Sequence, residues 1–253
     1  VSFMYDPDRL RSPMLRTGER GEGKFQEVTW EAALDHTAEK LLAIAAQYGP
    51  EAVAVFGHTS GEFWFADYFA QAWGTPNAAK PSSSLCTSPR EEASNLTFGF
   101  PVGGHEPVDW EGLRCLTLIG SHIGEDSRNT VMQDFANAWG RGAKVIVVDP
   151  RFSSVAAKAD YWLPIKPGTD TALLLAWINV LITEKRYDAE YVAQWGQGFD
   201  ELVAHVAAMT PEWAAEITEL DAELMRSPAR VMADNLPQSL IMPGRHVTWY
   251  GND

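Results

Sequence analysis

Apolar positions divide the chain into stretches of two different periods. Thr29-Trp30-Glu31-Ala32 opens a helix in which Ala33, Leu34, Ala38, Leu41, Leu42 and Ala45 recur at helical spacing. Thr29 stands in the N-cap place, Glu31 in the first turn, and Tyr48-Gly49-Pro50 is the stop. The run Ala52-Val53-Ala54-Val55-Phe56-Gly57 predicts a short buried strand, and residues 61–73 predict a ring-rich helix closed by Gly74. Before Thr29, residues 1–23 show little periodicity and read as an extended lead-in. A second series follows residue 107. Leu113–Gly120 and Ala143–Asp149 are continuous apolar runs of the kind that suits parallel strands buried on both faces, with a helix predicted over Asn129–Trp139 between them. Tyr161–Ile165 predicts another strand and Thr169–Thr183 a long apolar helix. Residues 187–232 predict several amphipathic helices, and Leu240-Ile241-Met242 and Val247-Thr248-Trp249-Tyr250 final strand pieces.

Alternation of this kind predicts an α/β fold of doubly wound, Rossmann-like, mostly parallel sheets. Between the two series, residues 75–107 are rich in Ser, Pro, Gly and Asn, with a short helix expected over Glu91–Leu96. Long irregular stretches inside compact domains tend to be functional.

Composition narrows the function classes. Thirty-four acidic against 20 basic side chains give a net charge of −14, which argues against a nucleic-acid binder and against adhesion to an anionic membrane. The longest apolar stretch, Ala172–Ile182, is too short to span a bilayer. Ten tryptophans suit either a ring-rich core or a large cofactor surface. Two cysteines, Cys86 and Cys115, make no disulfide framework and leave the compartment open. The chain opens on Val1-Ser2-Phe3 and stops at Gly251-Asn252-Asp253, just after a strand-like run, so an internal piece of a larger multi-domain subunit is expected.

Chemistry is concentrated at a few places. Cys86 sits in Ser84-Leu85-Cys86-Thr87-Ser88-Pro89-Arg90, a polar loop with a cation four residues on. A thiolate there can be a soft metal ligand or a nucleophile, against the alternative of a buried structural thiol. Cys115, inside an apolar strand, reads as core. Gly120-Ser121-His122-Ile123-Gly124-Glu125-Asp126 follows one strand, Asp149-Pro150-Arg151 ends the next, and Pro167-Gly168-Thr169-Asp170 precedes a helix. Glycine permits close ligand approach, free amides attract phosphate, and an acid can accept from ribose while arginine meets phosphate or stacks on a base. Each signal alone also fits an ordinary turn or cap. Together, at successive strand ends of one sheet, they outline a nucleotide crevice. The sequence is not G-x-G-x-x-G, which disfavours a nicotinamide cofactor. Arg245-His246 offers an anion-binding cation beside a proton relay, or simply a surface pair.

These residues carry a resemblance. The stretches Ser84–Ala93, Gly103-Gly104-His105-Glu106-Pro107 and Ile165–Ala172, with Tyr5–Leu10 and Trp249-Tyr250-Gly251 near the ends, resemble the molybdopterin oxidoreductases of the dimethyl sulfoxide reductase superfamily. Within it the chain is most similar to catalytic subunits of polysulfide and thiosulfate reductases. The resemblance implies molybdenum (or tungsten) held by two pterin guanine dinucleotides, with Cys86 as the metal's protein ligand. Gly120, Ser121, His122, Glu125, Asp149, Pro150, Arg151, Pro167, Gly168, Asp170, Trp249 and Gly251 would contact the cofactor. Arg245 would be an active-site arginine with His246 beside it. Family members often carry Asn where this chain has His122, and continue a helix that Ser227-Pro228 is expected to kink or break. A 4Fe-4S cluster would belong to an upstream segment, since no cysteine cluster stands here. The isolated chain is therefore not expected to turn over. The expected domains are 1–103 plus 240–253, carrying the metal-ligand loop, and 104–239, binding the dinucleotide. The resemblance further implies an iron–sulfur electron-transfer subunit and a membrane-anchor subunit as partners, with a periplasmic or outer-face location on the cytoplasmic membrane. Rival readings are a tetrathionate or arsenate reductase, a metal-free structural homologue in an electron-transfer complex, and a cysteine-nucleophile hydrolase drawing on His58, His105, His122 or His246.

Overall fold

In the computed structural model, residues 2–57, 65–79, 88–100, 108–121, 123–124 and 131–244 are described. The chain divides into two compact units, residues 1–83 and 84–253.

The first unit begins with an antiparallel pair, β1 (Met14–Arg16) and β2 (Phe25–Glu27), inside and just beyond the stretch read as lead-in. Helix α1 (Trp30–Tyr48) forms where periodicity and capping predict it. The Thr29 hydroxyl accepts from the Ala32 amide at 3.2 Å, and the Gly49 amide donates to the Ala45 carbonyl. Its apolar stripe, however, contains no buried residue. Strands β3 (Val55–Phe56) and β4 (Ala78–Ala79) pair in parallel, flanking α2 (Phe65–Trp73). The predicted buried strand thus shrinks to two residues, and Phe56 is 75% exposed. Buried residues here are few, Val53, Ala66, Ala70 and Thr75 among them, with the Thr75 hydroxyl donating to the Val53 carbonyl.

In the second unit, α3 (Ser88–Phe98) extends the short helix expected over Glu91–Leu96. Beyond it lies a four-stranded, all-parallel sheet among the described residues. Its strands are β5 (Cys115–Ile119), β6 (Lys144–Val148), β7 (Tyr161–Leu163) and β8 (Ser239–Pro243), in the order β7-β6-β5-β8. Helix α4 (Met132–Gly140) links β5 to β6. Helices α5 (Asp170–Thr183), α6 (Ala189–Trp195), α7 (Phe199–Val206), α8 (Pro211–Thr218) and α9 (Ala222–Asp234) connect β7 to β8.

Period-two alternation sorts the strands onto two faces. Cys115, Ile119, Ile146, Val148 and Leu163 pack with α5, α8 and α9. Leu116, Leu118, Val145 and Val147 pack with Phe135 and Ala138 of α4 and with Val155 and Ala156. A sheet covered on both faces is what the continuous apolar runs require, and the doubly wound architecture follows. Cys115 is fully buried, and desolvation pushes its thiol up despite nearby Ser239 and Thr117 hydroxyls, in keeping with a core role.

Two expectations need correction. Residues 240–253 were grouped with the first domain, yet Leu240–Pro243 form part of β8, which pairs with β5. A short apolar run does not reveal its partner; here the open edge of β5 supplies the hydrogen bonds. Residues 88–100, likewise placed in the first domain, cluster with the second unit. Ser227-Pro228 does not break its helix: α9 runs through Pro228, whose ring is buried against the core. Burial of the ring offsets the missing amide donor.

Candidate functional site

The carboxyl ends of the four parallel strands are joined by backbone hydrogen bonds. The Gly120 amide donates to the Val148 carbonyl at 2.9 Å, joining β5 to β6, and the Asp149 amide donates to the Leu163 carbonyl at 3.1 Å, joining β6 to β7. On the other side the Gly244 amide donates to the Ile119 carbonyl at 2.6 Å, joining β8 to β5. The glycine turn after β5 and the acid after β6 therefore lie side by side along one edge, and the Pro167-Gly168 turn follows β7 on that same edge. The order β7-β6-β5-β8 places the topological switch point between β5 and β8. In open α/β sheets that is where ligands bind.

Side chains leave this edge bare where backbone must come close. Gly120 has φ +55°, in the left-handed region that favours glycine. A Cβ on Gly244 would lie 2.0 Å from the Gly120 carbonyl oxygen, so no side chain fits there. Sequence reading did not single out Gly244, although a Pro-Gly pair directly after a strand-like run is the same signal that marked Gly120.

Polar groups then punctuate the edge. Ser121 is buried after β5. Asp149 is only 5% exposed, and its Oδ1 accepts from the Arg151 amide at 2.8 Å. Pro150 and Arg151 are exposed. The loop continues with the Ser153 amide donating to the Arg151 carbonyl, and the buried Ser153 hydroxyl accepting from the Ala156 amide. After β7, Gly168 turns with φ +78° and Asp170 is buried at the start of α5. Thr169 does not cap this helix; its hydroxyl donates back to the Lys166 carbonyl at 2.6 Å. So Gly120, Ser121, Asp149, Pro150, Arg151, Pro167, Gly168 and Asp170 share one end of the sheet. Cys86, His122, Glu125, Arg245, His246, Trp249 and Gly251 lie outside the described residues, as do His58 and His105. Among the described residues, no group of three or more His, Cys, Asp or Glu side chains is placed to hold a metal ion.

Comparison with known proteins decides the family: the molybdopterin oxidoreductase family model matches residues 9–248. The chain belongs to the molybdopterin oxidoreductase family. Its α/β sheet is thus a molybdopterin-enzyme fold, and the family brings the molybdopterin cofactor class with it. It is 34% identical over 249 residues to the thiosulfate reductase molybdopterin-containing subunit PhsA of Salmonella typhimurium, covering 98% of this chain and 32% of that protein. It is 35% identical over 237 residues to acetylene hydratase of Syntrophotalea acetylenica, covering 92% of this chain and 32% of that protein. The dimethyl sulfoxide reductase DmsA of Escherichia coli is 29% identical over 281 residues, covering 96% of this chain and 34% of that protein. Among solved structures, acetylene hydratase from Pelobacter acetylenicus is similar with a TM-score of 0.75 and 33% identity, covering 98% of this chain and 33% of that one. The chain spans about a third of the length of these molybdopterin oxidoreductases.

The described edge fits the tail of such a cofactor. Bare glycine backbone admits a phosphate or sugar, buried Asp149 and Asp170 suit hydroxyl or base N–H donors, and Arg151 suits an anion. Among the described residues no helix of this family member is long and apolar enough to cross a membrane.

Proposed function

We propose that this chain serves in the catalytic subunit of a molybdenum (or tungsten) bis(pterin guanine dinucleotide) oxidoreductase that reduces polysulfide or thiosulfate. Its likeness to the thiosulfate reductase subunit, 34% identical over 98% of the chain, carries the reading. The cofactor, when bound, supplies two electrons at its metal. Cys86 is the protein ligand, its thiolate donating to a soft metal. Gly120, Ser121, Asp149, Arg151, Gly168 and Asp170 hold the dinucleotide tail, with His122, Glu125, Pro150, Pro167, Trp249 and Gly251 completing it. Arg245 holds the sulfur anion and stabilises charge on the departing sulfur, and His246 delivers a proton to it. With two electrons and two protons, thiosulfate's S–S bond breaks to give hydrogen sulfide and sulfite. Electrons arrive through a 4Fe-4S cluster and an iron–sulfur partner subunit. A membrane-anchor subunit holds the complex at the periplasmic face.

A second reading has its own support. The chain is as similar to acetylene hydratase as to the thiosulfate reductase subunit, so addition of water to acetylene is its alternative chemistry.

The test takes the full-length protein, wild type and Cys86→Ser, through metal and guanine-nucleotide analysis. Reduced-viologen oxidation is then assayed with polysulfide, thiosulfate, tetrathionate and arsenate, and acetaldehyde formation with acetylene. The expectation is near-stoichiometric molybdenum or tungsten with polysulfide- or thiosulfate-dependent oxidation in the wild type, and no oxidation in the variant. Tetrathionate or arsenate alone would move the substrate. Acetaldehyde without viologen oxidation would establish the hydratase reading. A metal-free protein that still assembles into its complex would make it a structural homologue.

A further inference from the structure

Helices α6 and α7, in the connection between β7 and β8, border a groove of about 420 Å³ that the strand-end site does not use. Helix α5 carries the chain about 20 Å from the Gly168 turn before these two helices begin. Ala189, Val192, Ala193 and Gly196 recur at i, i+3, i+4 and i+7, so one stripe of α6 and its C-cap forms a wall of the groove. Tyr187 and Phe199, with ring centroids 5.0 Å apart, line it as well. Small side chains on the wall leave the space open.

Helix α6 buries none of its seven residues, and Tyr191 and Trp195 stand 63% and 69% exposed. A helix this short is marginal in water without packing. Asp188 caps it, Oδ1 accepting the Tyr191 amide at 2.8 Å, which satisfies one donor and buries no apolar surface. Large exposed side chains grouped around a groove are the mark of an interaction surface.

Charge around the groove has one sign. Asp188, Glu190, Asp200 and Glu201 stand along residues 187–201, and no Lys or Arg occurs from Tyr187 to Met225. The flanking cations are engaged elsewhere, Arg186 by Glu184 and Asp234 and Arg226 by Glu212. Acids farther along thus meet cations of the fold, whereas those at the groove have none from their own stretch. An apolar wall beside such carboxylates complements an amphipathic cation. A second copy of this chain, at net charge −14, would bring like charge instead.

We propose that this groove docks a Lys- or Arg-bearing amphipathic segment of a partner protein. An apolar side chain of the partner seats on Val192 and Ala193, and its cations meet Asp200 and Glu201.

The experiment measures, by fluorescence anisotropy, binding of a labelled peptide of alternating Lys and Leu to the full-length protein, with a peptide of alternating Glu and Leu as control. Wild type is expected to bind the cationic peptide, less tightly as salt rises, and not the acidic one. Asp200→Asn with Glu201→Gln is expected to weaken binding about tenfold. Asp35→Asn with Glu39→Gln removes the same charge from α1 and should leave affinity unchanged. Ala193→Leu fills the groove without changing charge and is expected to weaken binding about tenfold. All variants should keep the wild-type thermal midpoint, because the substituted side chains are exposed. Equal weakening by the α1 pair and the groove pair would reduce the effect to net charge and overturn the site. Wild-type affinity in Ala193→Leu, or no binding by the wild type, would overturn it as well. Self-association of the wild type in sedimentation, abolished by Ala193→Leu, would give the groove to a second copy and overturn the partner assignment.

Discussion

The two units put similar periodic patterns to different use. In residues 1–83, α1 has strong caps and a clear apolar stripe, yet buries none of its 19 residues. In residues 84–253, α5 is apolar nearly all round and buries seven residues, Asp170, Ala172, Leu173, Ala176, Trp177, Asn179 and Val180. An isolated helix of this length is marginal in water, so α1 relies on its caps and local propensity, and α5 on packing. Periodicity reveals which face of a helix is ready to be covered. Burial depends on whether something covers it, and here the four-stranded sheet does so for α5.

The largest expected effect tests that contrast directly. Trp177 is almost wholly buried and its indole N–H donates to the Met225 carbonyl at 2.9 Å, tying α5 to α9. Trp177→Ala should cost about 3–5 kcal/mol, read from the chemical-denaturation midpoint. Leu42→Ala on exposed α1 should stay within about 0.5 kcal/mol. Comparable losses at both positions would break the comparison.

A smaller effect sharpens it. Thr29→Ala removes the oxygen that accepts the Ala32 amide and should lower stability by about 1 kcal/mol. Because α1 has so little packing, that loss should appear first as faster amide exchange over Ala32–Leu34. Unchanged exchange there would show that the cap is not what holds the helix.

The smallest effect concerns surface charge in the second unit. The Arg230 hydrogen bond, against an opposing desolvation and with the charge of Arg230 and a hydrogen bond from Arg186 adding to it, holds the Glu184 carboxyl below its ordinary value of 4.5. Arg230 pairs with it at 2.8 Å, linking the end of α5 to α9. A carboxylate lowered in the folded state stabilises above its unfolded pKa and loses that contribution as pH falls through the folded value. Glu184→Gln should therefore cost under about 1 kcal/mol at pH 7, after solvent screening, and nothing once pH lies well below 4.5. A thermal-midpoint series against pH reads this out, and a variant penalty that persists in acid would assign the loss to packing instead.

Much of the fold was legible because strong local signals agreed with the tertiary outcome. The all-buried β5 and the nearly all-buried β6 lie where continuous apolar runs predicted them, and α5 begins one residue after its expected start. The candidate edge was legible in part for the same reason: Gly120, Asp149 and Gly168 each follow a strand that could be read. Gly244 was missed because its role depends on the backbone of β5, 124 positions earlier in the chain at Gly120. Trp162 was missed because a tryptophan in a strand reads as core, and nothing local reveals that its N–H reaches the end of β6.

The sequence by itself determined the family, the N-cap of α1 and the parallel strands β5 and β6 with their two buried faces. These are set by the chemistry of neighbouring residues and by periods of 2 and 3.6. Tertiary structure alone decided that β8 joins β5, that Pro228 stays within a helix, and that α1's stripe lies open. Each depends on which distant backbone or surface is available to meet a group, and the sequence near that group holds no record of it.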